Sequence, residues 1–413
     1  MPRPGQTLFL CALALLTIGV LMVTSAGMEI VPATAEAPIR GDGGLSPVTI
    51  ISGRIGVYAA LALLAMAATA FAPKRLIERF TAPNPEHWWR VLVIATAVMI
   101  GMLLLVYIPG ISRHINASSR WIEIPAPGLG TISIQPSELV KWAMLGLMAW
   151  GAVAAGDRIA SFWRGLMPML ACLGLVCLLI MKEDMGTALL IGATGALILL
   201  AGGARFWHMA ALAPVAAGAV AAGLFSSTYR MHRITSFVNP YDDPAGAGFH
   251  IIQSMGAIAG GEGVGRGLGN GLQKFGYLPE DTTDFIFSII SEELGLFGVA
   301  LVLFLYALLI TTSRDIMARQ QRPAARLLAL GIMATIGLQA CINLLVVTKL
   351  APTKGIALPL ISSGGTGWIL TCAAIGMLIR LDRFECESPS ELESVDEEHA
   401  SRAEGPRLPG VVT

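Results

Sequence analysis

Ten apolar stretches, each near the length needed to cross a lipid bilayer, dominate this chain of 413 residues. A membrane-spanning helix takes about 20 consecutive apolar residues. Stretches of that kind fall near 7–28, 50–72, 91–110, 138–155, 165–181, 186–203, 208–226, 286–312, 325–348 and 360–380. Hydrocarbon offers no water to backbone donors and acceptors, so each stretch must satisfy them internally as a helix. Composition agrees, with 54% hydrophobic and only 14% charged residues. A soluble domain carries about 25% charged residues, and one this apolar would expose aggregating patches. The expected fold is all-α and polytopic: a membrane domain over 1–381, then an acidic tail over 382–413 that reads as disordered and cytoplasmic. The first stretch lacks a small-residue cleavage site and reads as a span rather than a signal peptide.

Charge narrows the function classes. Basic and acidic residues balance at 28 each, so the basic excess of a nucleic-acid binder is missing. The six cysteines form no CxxC pair, which argues against a metal knuckle or a disulfide framework. Basic residues of short loops mark the cytoplasmic side. Lys74, Arg75, Arg79, Arg90, Arg158, Arg164, Arg205, Arg314, Arg319, Arg322 and Arg326 all fall on one side of a ten-span chain. Both termini join them there. The opposite, outer side holds 29–49, 111–137, 182–185, 227–285 and 349–359, and these carry cations of their own: Arg113, Arg120, Arg230, Arg233, Arg266, Lys274 and Lys354. Positive charge on that side suits an anionic ligand.

The outer segments also hold most of the unusual chemistry, and ionisable residues in or beside spans are functional candidates by default. In 118–142, Pro136 suits a first helical turn, and Glu138 and Lys141 share a helix face three residues apart. They form either an internal ion pair or part of a site. Trp121 is either an interfacial anchor or, beside Arg120, a surface for a sugar or phosphate. Glu183 and Asp184 sit between two spans, suited to binding a cation or to capping the next helix. Glycines alternate at 261, 263, 265, 267, 269 and 271. That spacing fails the dinucleotide-binding pattern and suits re-entrant backbone in close contact with protein or ligand. Asp284 lies just before an apolar helix, where partial desolvation raises proton affinity and suits a general base; an N-cap role is the alternative. Glu292 and Glu293, about 12 Å deeper at 1.5 Å per residue, need a buried cationic partner, for which Lys141 is a candidate. Lys354 suits a phosphate. Ser362 and Ser363 form no triad with any histidine.

Taken together and in order, these motifs resemble the SEDS family, the shape, elongation, division and sporulation proteins of the FtsW/RodA/SpoVE type. The matching pieces are Arg120-Trp121-Ile122, Gln135-Pro136-Ser137-Glu138, Asp184-Met185-Gly186-Thr187-Ala188, Asn239-Pro240, Asp243-Pro244, Gly246-Ala247-Gly248 and Ile252-Gln253-Ser254. To these add Gly265-Arg266-Gly267-Leu268-Gly269, Leu278-Pro279-Glu280, Thr283-Asp284-Phe285-Ile286-Phe287, Glu292-Glu293-Leu294-Gly295 and Pro352-Thr353-Lys354-Gly355. The resemblance spans the chain except its tail. It implies ten transmembrane helices in the bacterial cytoplasmic (inner) membrane. The implied activity is a glycosyltransferase that polymerises peptidoglycan from lipid II on the outer face, partnered by a class B penicillin-binding protein, a transpeptidase, and by other divisome or elongasome proteins. It makes Asp284 the catalytic residue. Arg120, Trp121, Gln135, Glu138, Lys141, Arg230, Arg233, Arg266 and Lys354 become candidates for binding substrate, with Asp184, Glu292 and Glu293 in support.

Two departures stand out. Ser363 replaces the tyrosine of the family's usual ISYGGSS, and Lys182-Glu183-Asp184 replaces the usual QPD. The Pro352-to-Gly355 run resembles the FtsW branch and points to septal synthesis in cell division. A divalent cation such as Mg2+ or Mn2+ suits a diphosphate leaving group, although no ligand motif identifies one and no other cofactor is suggested. The competing readings are a lipid II flippase and a non-catalytic scaffold for the transpeptidase. The flippase needs a polar path through the inner halves of the spans, which here look nearly uncharged.

Overall fold

The computed structural model describes residues 3–27, 53–83, 85–108, 112–115, 118–126, 130–246 and 248–403. Residues 29–49, Ala247 and 404–413, which figured in the sequence reading, lie outside the described residues. Within them the chain forms α1 (Pro4–Ala26), α2 (Arg54–Ala70), α3 (Lys74–Thr81), α4 (Trp88–Leu104), β1 (Ser112–Ile115), β2 (Ser118–Ala126), β3 (Gly130–Ile134) and α5 (Pro136–Ala155). There follow α6 (Met167–Glu183), α7 (Met185–Ala201), α8 (Phe206–Phe225), α9 (Thr228–Val238), α10 (Phe249–Gly260), α11 (Ile286–Arg319), α12 (Pro323–Val347) and α13 (Thr366–Ala403).

The protein is a multi-pass membrane protein. Among the described residues, 7 helices are long and apolar enough to cross a bilayer, and α2 with α3 makes an eighth if that pair, bent by 71°, is one span. Pro73 sits at the bend, where it cannot donate to a continuing helix. Two of the remaining expected spans coincide with α7, which has 17 residues, and with the first half of α13. Proline opens α1, α5 and α12, at positions whose backbone N–H would be unpaired in any case.

Helix faces bury against one another in two apolar clusters. The first gathers α1, α2, α11, α12 and α13 around Leu15, Met66, Ile289, Leu309, Ile332 and Ile375. The second gathers α4, α5, α6 and α7 around Leu92, Met144, Met148, Met169 and Ile191. Helix α8 buries no residue and presents its apolar surface outward, as a lipid-facing span does.

The helical, polytopic fold expected from the sequence is the fold observed, and the structure adds detail to it. Within 112–134 the helical bundle also carries a short antiparallel meander in the order β1-β2-β3. In its register Trp121 opposes Arg113, and Ile122 opposes Ile134. The long segment 227–285 between the seventh and eighth expected spans contains two short helices, α9 and α10. The chain also remains structured past residue 382. Asp382 and Phe384 are buried, Arg322 lies 4.5 Å over the Phe384 ring, and the backbone stays helical to Ala403.

The two ends of the bundle differ. At one end, the Gly5 N–H donates to Asp382 at 3.0 Å and ties the first helix to the last. Arg380 donates to the Ala72 carbonyl and Arg322 to Thr81 at the same end. The opposite end carries the sheet, α9, α10, the glycine-rich segment and the stretch between α12 and α13.

Candidate active site

Asp284 is held by its backbone as firmly as any side chain could be. Three successive carbonyls are gripped: Thr282 accepts from the Ser363 N–H at 2.8 Å, Thr283 from Ser362 Oγ at 2.6 Å, and Asp284 from Asn343 Nδ2 at 2.8 Å. The second N–H of Asn343 donates to the Ile356 carbonyl at 2.8 Å. One buried amide on α12 therefore fixes both the Asp284 segment and the strap that bears Lys354. The strap is pinned again from α5. Lys141, fully buried, pairs with Glu138 at 2.7 Å and donates to Gln339 at 3.1 Å; Gln339 then donates to the Ala357 carbonyl at 2.8 Å. Glu138 and Lys141 therefore form an ion pair that, through Gln339, braces the strap.

The Asp284 carboxyl opens on a cavity of about 360 Å³ lined by His232, Arg233, His250, Glu280, Lys354 and others. It is no N-cap, since α11 begins after Phe285. Gly355 lies so close that a Cβ there would stand 2.8 Å from Asp284 Oδ2, which gives that glycine a steric reason. Burial pushes the Asp284 pKa up to about 7; Glu280 and Asp184 add to the rise, while Arg233 and Arg120 oppose it. Asp281 is pushed up to about 6, again chiefly by burial. Burial also pulls Lys354 below the usual lysine value, helped by Arg230 and opposed by Asp184. The arrangement can accept a proton at Asp284 near neutral pH and hold an anion at Lys354 and Arg233.

A smaller hollow of about 40 Å³ is lined by Tyr107, Arg120, Ser137, Glu183 and Asp184, among others. Arg120 stands 3.9 Å from Asp184. Asp184 caps α7, accepting from the Thr187 N–H at 3.0 Å and its hydroxyl at 2.8 Å. The capping role open to it in the sequence is thus present in the structure.

Other candidates stand elsewhere. Trp121 lines neither hollow. Gln135 donates to Ser137 at 3.0 Å, at the head of α5. Arg230 donates to the carbonyls of Gly223, Met181 and Lys182, closing the ends of α8 and α6. Arg266 donates to the Gly260 carbonyl at 2.8 Å and lies 3.6 Å from Glu292. Glu292 and Glu293 are buried, and their cationic partner is not Lys141. Lys274 meets Glu293 at 2.8 Å, with Ser25 of α1 donating to the same carboxylate. Backbone N–H groups of Gly269, Gly271, Leu272 and Gln273 complete the set. The alternating glycines thus wrap these carboxylates. Gly295 breaks α11 at φ 60°, where a Cβ would lie 2.5 Å from Gly265 N.

Among the described residues, no group of three or more His, Cys, Asp or Glu side chains is arranged to hold a metal ion.

Sequence reasoning missed His250, Glu280, Gln339 and Asn343 as contributors. Gln339 and Asn343, two amides four residues apart in an otherwise apolar span, carried a usable signal. His250 carried none, because its place beside Asp284 depends on the packing of α10.

The chain matches the model of the FtsW/RodA/SpoVE family, described as cell cycle proteins, over residues 6–387. It is 36% identical over 383 residues to the probable peptidoglycan glycosyltransferase FtsW of Geobacter sulfurreducens, covering 92% of this chain and 95% of that one. It is 35% identical over 384 residues to the stage V sporulation protein E of Bacillus subtilis, covering 92% and 97%. Among solved structures, a chain of a peptidoglycan synthase complex superposes with a TM-score of 0.65 at 26% identity, covering 92% of this chain and 97% of that one. The rod shape determining protein RodA of Thermus thermophilus gives 0.55 at 23% identity, covering 91% and 95%, and so shares the fold. With a match across nearly all of its length, the chain belongs to the FtsW/RodA/SpoVE family.

Proposed function

We propose that this protein is a peptidoglycan glycosyltransferase that joins lipid II units into β-1,4 glycan strands. It works on the outer face of the bacterial cytoplasmic membrane, with ten spans and both termini in the cytoplasm, in the septal synthesis of cell division. Its partner is a class B penicillin-binding protein, the transpeptidase that crosslinks the strands. The observation that carries this reading is the Asp284 carboxyl, its pKa raised to about 7, facing the same cavity as Lys354 and Arg233.

The chemistry follows from those groups. Asp284 accepts the proton of the acceptor sugar's 4-hydroxyl. The freed oxygen forms a bond to the anomeric carbon of the donor as that carbon's bond to the diphosphate breaks. The electron pair leaves with undecaprenyl diphosphate, and one displacement turns an α-linked donor into a β-linked product. A positioned base contributes about 10²–10⁴-fold. Charge developing on the leaving diphosphate is stabilised by preorganised cations, and Lys354, Arg233 and Arg120 stand in or beside the cavity for that task. Arg230 and Arg266 are committed to carbonyls and contribute through the frame.

The test is incubation of purified full-length protein, with its transpeptidase, on lipid II. Strands that a muramidase digests, formed together with released undecaprenyl diphosphate, support the reading. Lipid II left intact by a folded, paired complex contradicts it.

A further inference from the structure

His250 is the one titratable cavity residue with a stacked aromatic backing. It lies on α10, and its ring stacks on Phe285 with centroids 5.8 Å apart and planes 23° from parallel. Phe285 is buried and adjoins Asp284 in the chain, so the imidazole is registered against the segment that carries the carboxyl. Both residues line the cavity shared with Glu280, Arg233 and Lys354. Nδ1 of His250 is buried without a hydrogen-bond partner, so the ring carries hydrogen-bonding capacity that the protein itself leaves unsatisfied. Burial and the nearby Arg233 charge pull the His250 pKa below the ordinary histidine value and so favour the neutral ring, against the opposing pull of Glu280.

A neutral imidazole donates or accepts one directional hydrogen bond and offers no net charge. It is therefore a poor holder of a diphosphate, for which the cavity already has Lys354 and Arg233. It suits a neutral oxygen, such as a sugar hydroxyl or an acetamido carbonyl. Stacking on Phe285 fixes its plane, so little rotamer freedom is lost on binding. We infer that His250 is a substrate-contacting residue whose imidazole hydrogen-bonds a hydroxyl or acetamido oxygen of the sugar entering beside Asp284. This rests on the glycosyltransferase reading above for the identity of the sugar.

The experiment measures binding of two probes, lipid II and undecaprenyl diphosphate, to the full chain in nanodiscs. The second probe has the lipid and the diphosphate but no sugar. His250→Phe keeps an aromatic ring on Phe285 and removes the hydrogen bond; His250→Gln keeps a donor and an acceptor. Expected is about tenfold weaker lipid II binding by His250→Phe, the loss of about 1.4 kcal/mol. His250→Gln should stay within about threefold of wild type, and undecaprenyl diphosphate should bind all three alike, which also shows that the variants fold. Equal lipid II binding by wild type and His250→Phe overturns the inference, as does equal weakening of both probes. A wild type that binds lipid II but makes no strands removes the polymerase reading, while the binding difference still decides the role of His250. A wild type that binds no lipid II removes both.

Discussion

At the scale of single residues, the account turns on a carboxyl whose proton affinity is set by burial. As a general base, Asp284 acts only when ionised, so strand synthesis should rise with pH through about 7 and level off above it. The acid limb should move when Glu280→Gln removes a neighbouring negative charge, shifting to lower pH; a pH–rate profile on lipid II checks both. The same shift has a consequence for stability with the opposite sign. A carboxyl whose pKa is higher folded than unfolded loses native-state stability as pH rises from the unfolded value towards 7 and beyond. Asp284→Asn should therefore be inactive yet melt a few degrees above wild type at pH 8, with the gap closing by about pH 4. Thermal unfolding at the two pH values checks this, and a lower melting point at pH 8 contradicts it. Asp284 and the Asp184 cap were legible in the sequence because each is announced by the helix that follows it. His250 and Glu280 were not, since their proximity to Asp284 depends on how α10 and the 261–285 segment fold back.

At the scale of elements, position is supplied by side chains that never touch the cavity. Asn343 satisfies two carbonyls at once, those of Asp284 and Ile356. Each buried acceptor left unpaired costs about 1–3 kcal/mol. Asn343→Ala should therefore lower the melting point and reduce kcat with little change in KM, because binding groups remain while the base loses its placement. Separate kcat and KM values from lipid II titrations check it. The buried Lys274–Glu293 pair behaves differently. Removing one partner of such a pair costs about 3–5 kcal/mol, so Lys274→Met should abolish accumulation of folded protein. Adding Glu293→Gln should restore part of it, as measured by size-exclusion of the detergent-solubilised chain. The sequence showed that Glu292 and Glu293 need a cation but not which one, because Lys274 reaches Glu293 only after the glycine-rich segment closes over the broken helix at Gly295. The strands did leave a signal in the sequence: Ile122 and Ile124 flank Glu123, and Ile132 and Ile134 flank Ser133, on either side of a proline- and glycine-rich stretch.

At the scale of the whole molecule, the bundle separates a basic end from an end that carries the chemistry. Apolar length and loop charge made most of this readable, because both are imposed by the bilayer itself. The ends of α2 and α7 at Pro73 and Asp184 were legible because charged residues, Lys74 and Arg75 after the one and Lys182 and Glu183 before the other, interrupt the apolar runs there. In a background lacking the native cysteines, Cys introduced at Arg75 should react with an impermeant maleimide only after the cytoplasmic side is opened. Cys at the exposed Asp243 should react in intact spheroplasts. The reverse pattern contradicts the proposed orientation and would put the Asp284 cavity on the wrong side of the membrane.

The central claim is that the Asp284 carboxyl, and no other group, takes the proton in glycan strand formation. The most direct measurement is single-turnover strand synthesis by wild type and Asp284→Asn, each paired with the transpeptidase and saturated with lipid II. The account predicts a fall of at least about 10² in the rate of bond formation, with lipid II binding retained. An Asp284→Asn enzyme that forms strands at the wild-type rate contradicts it.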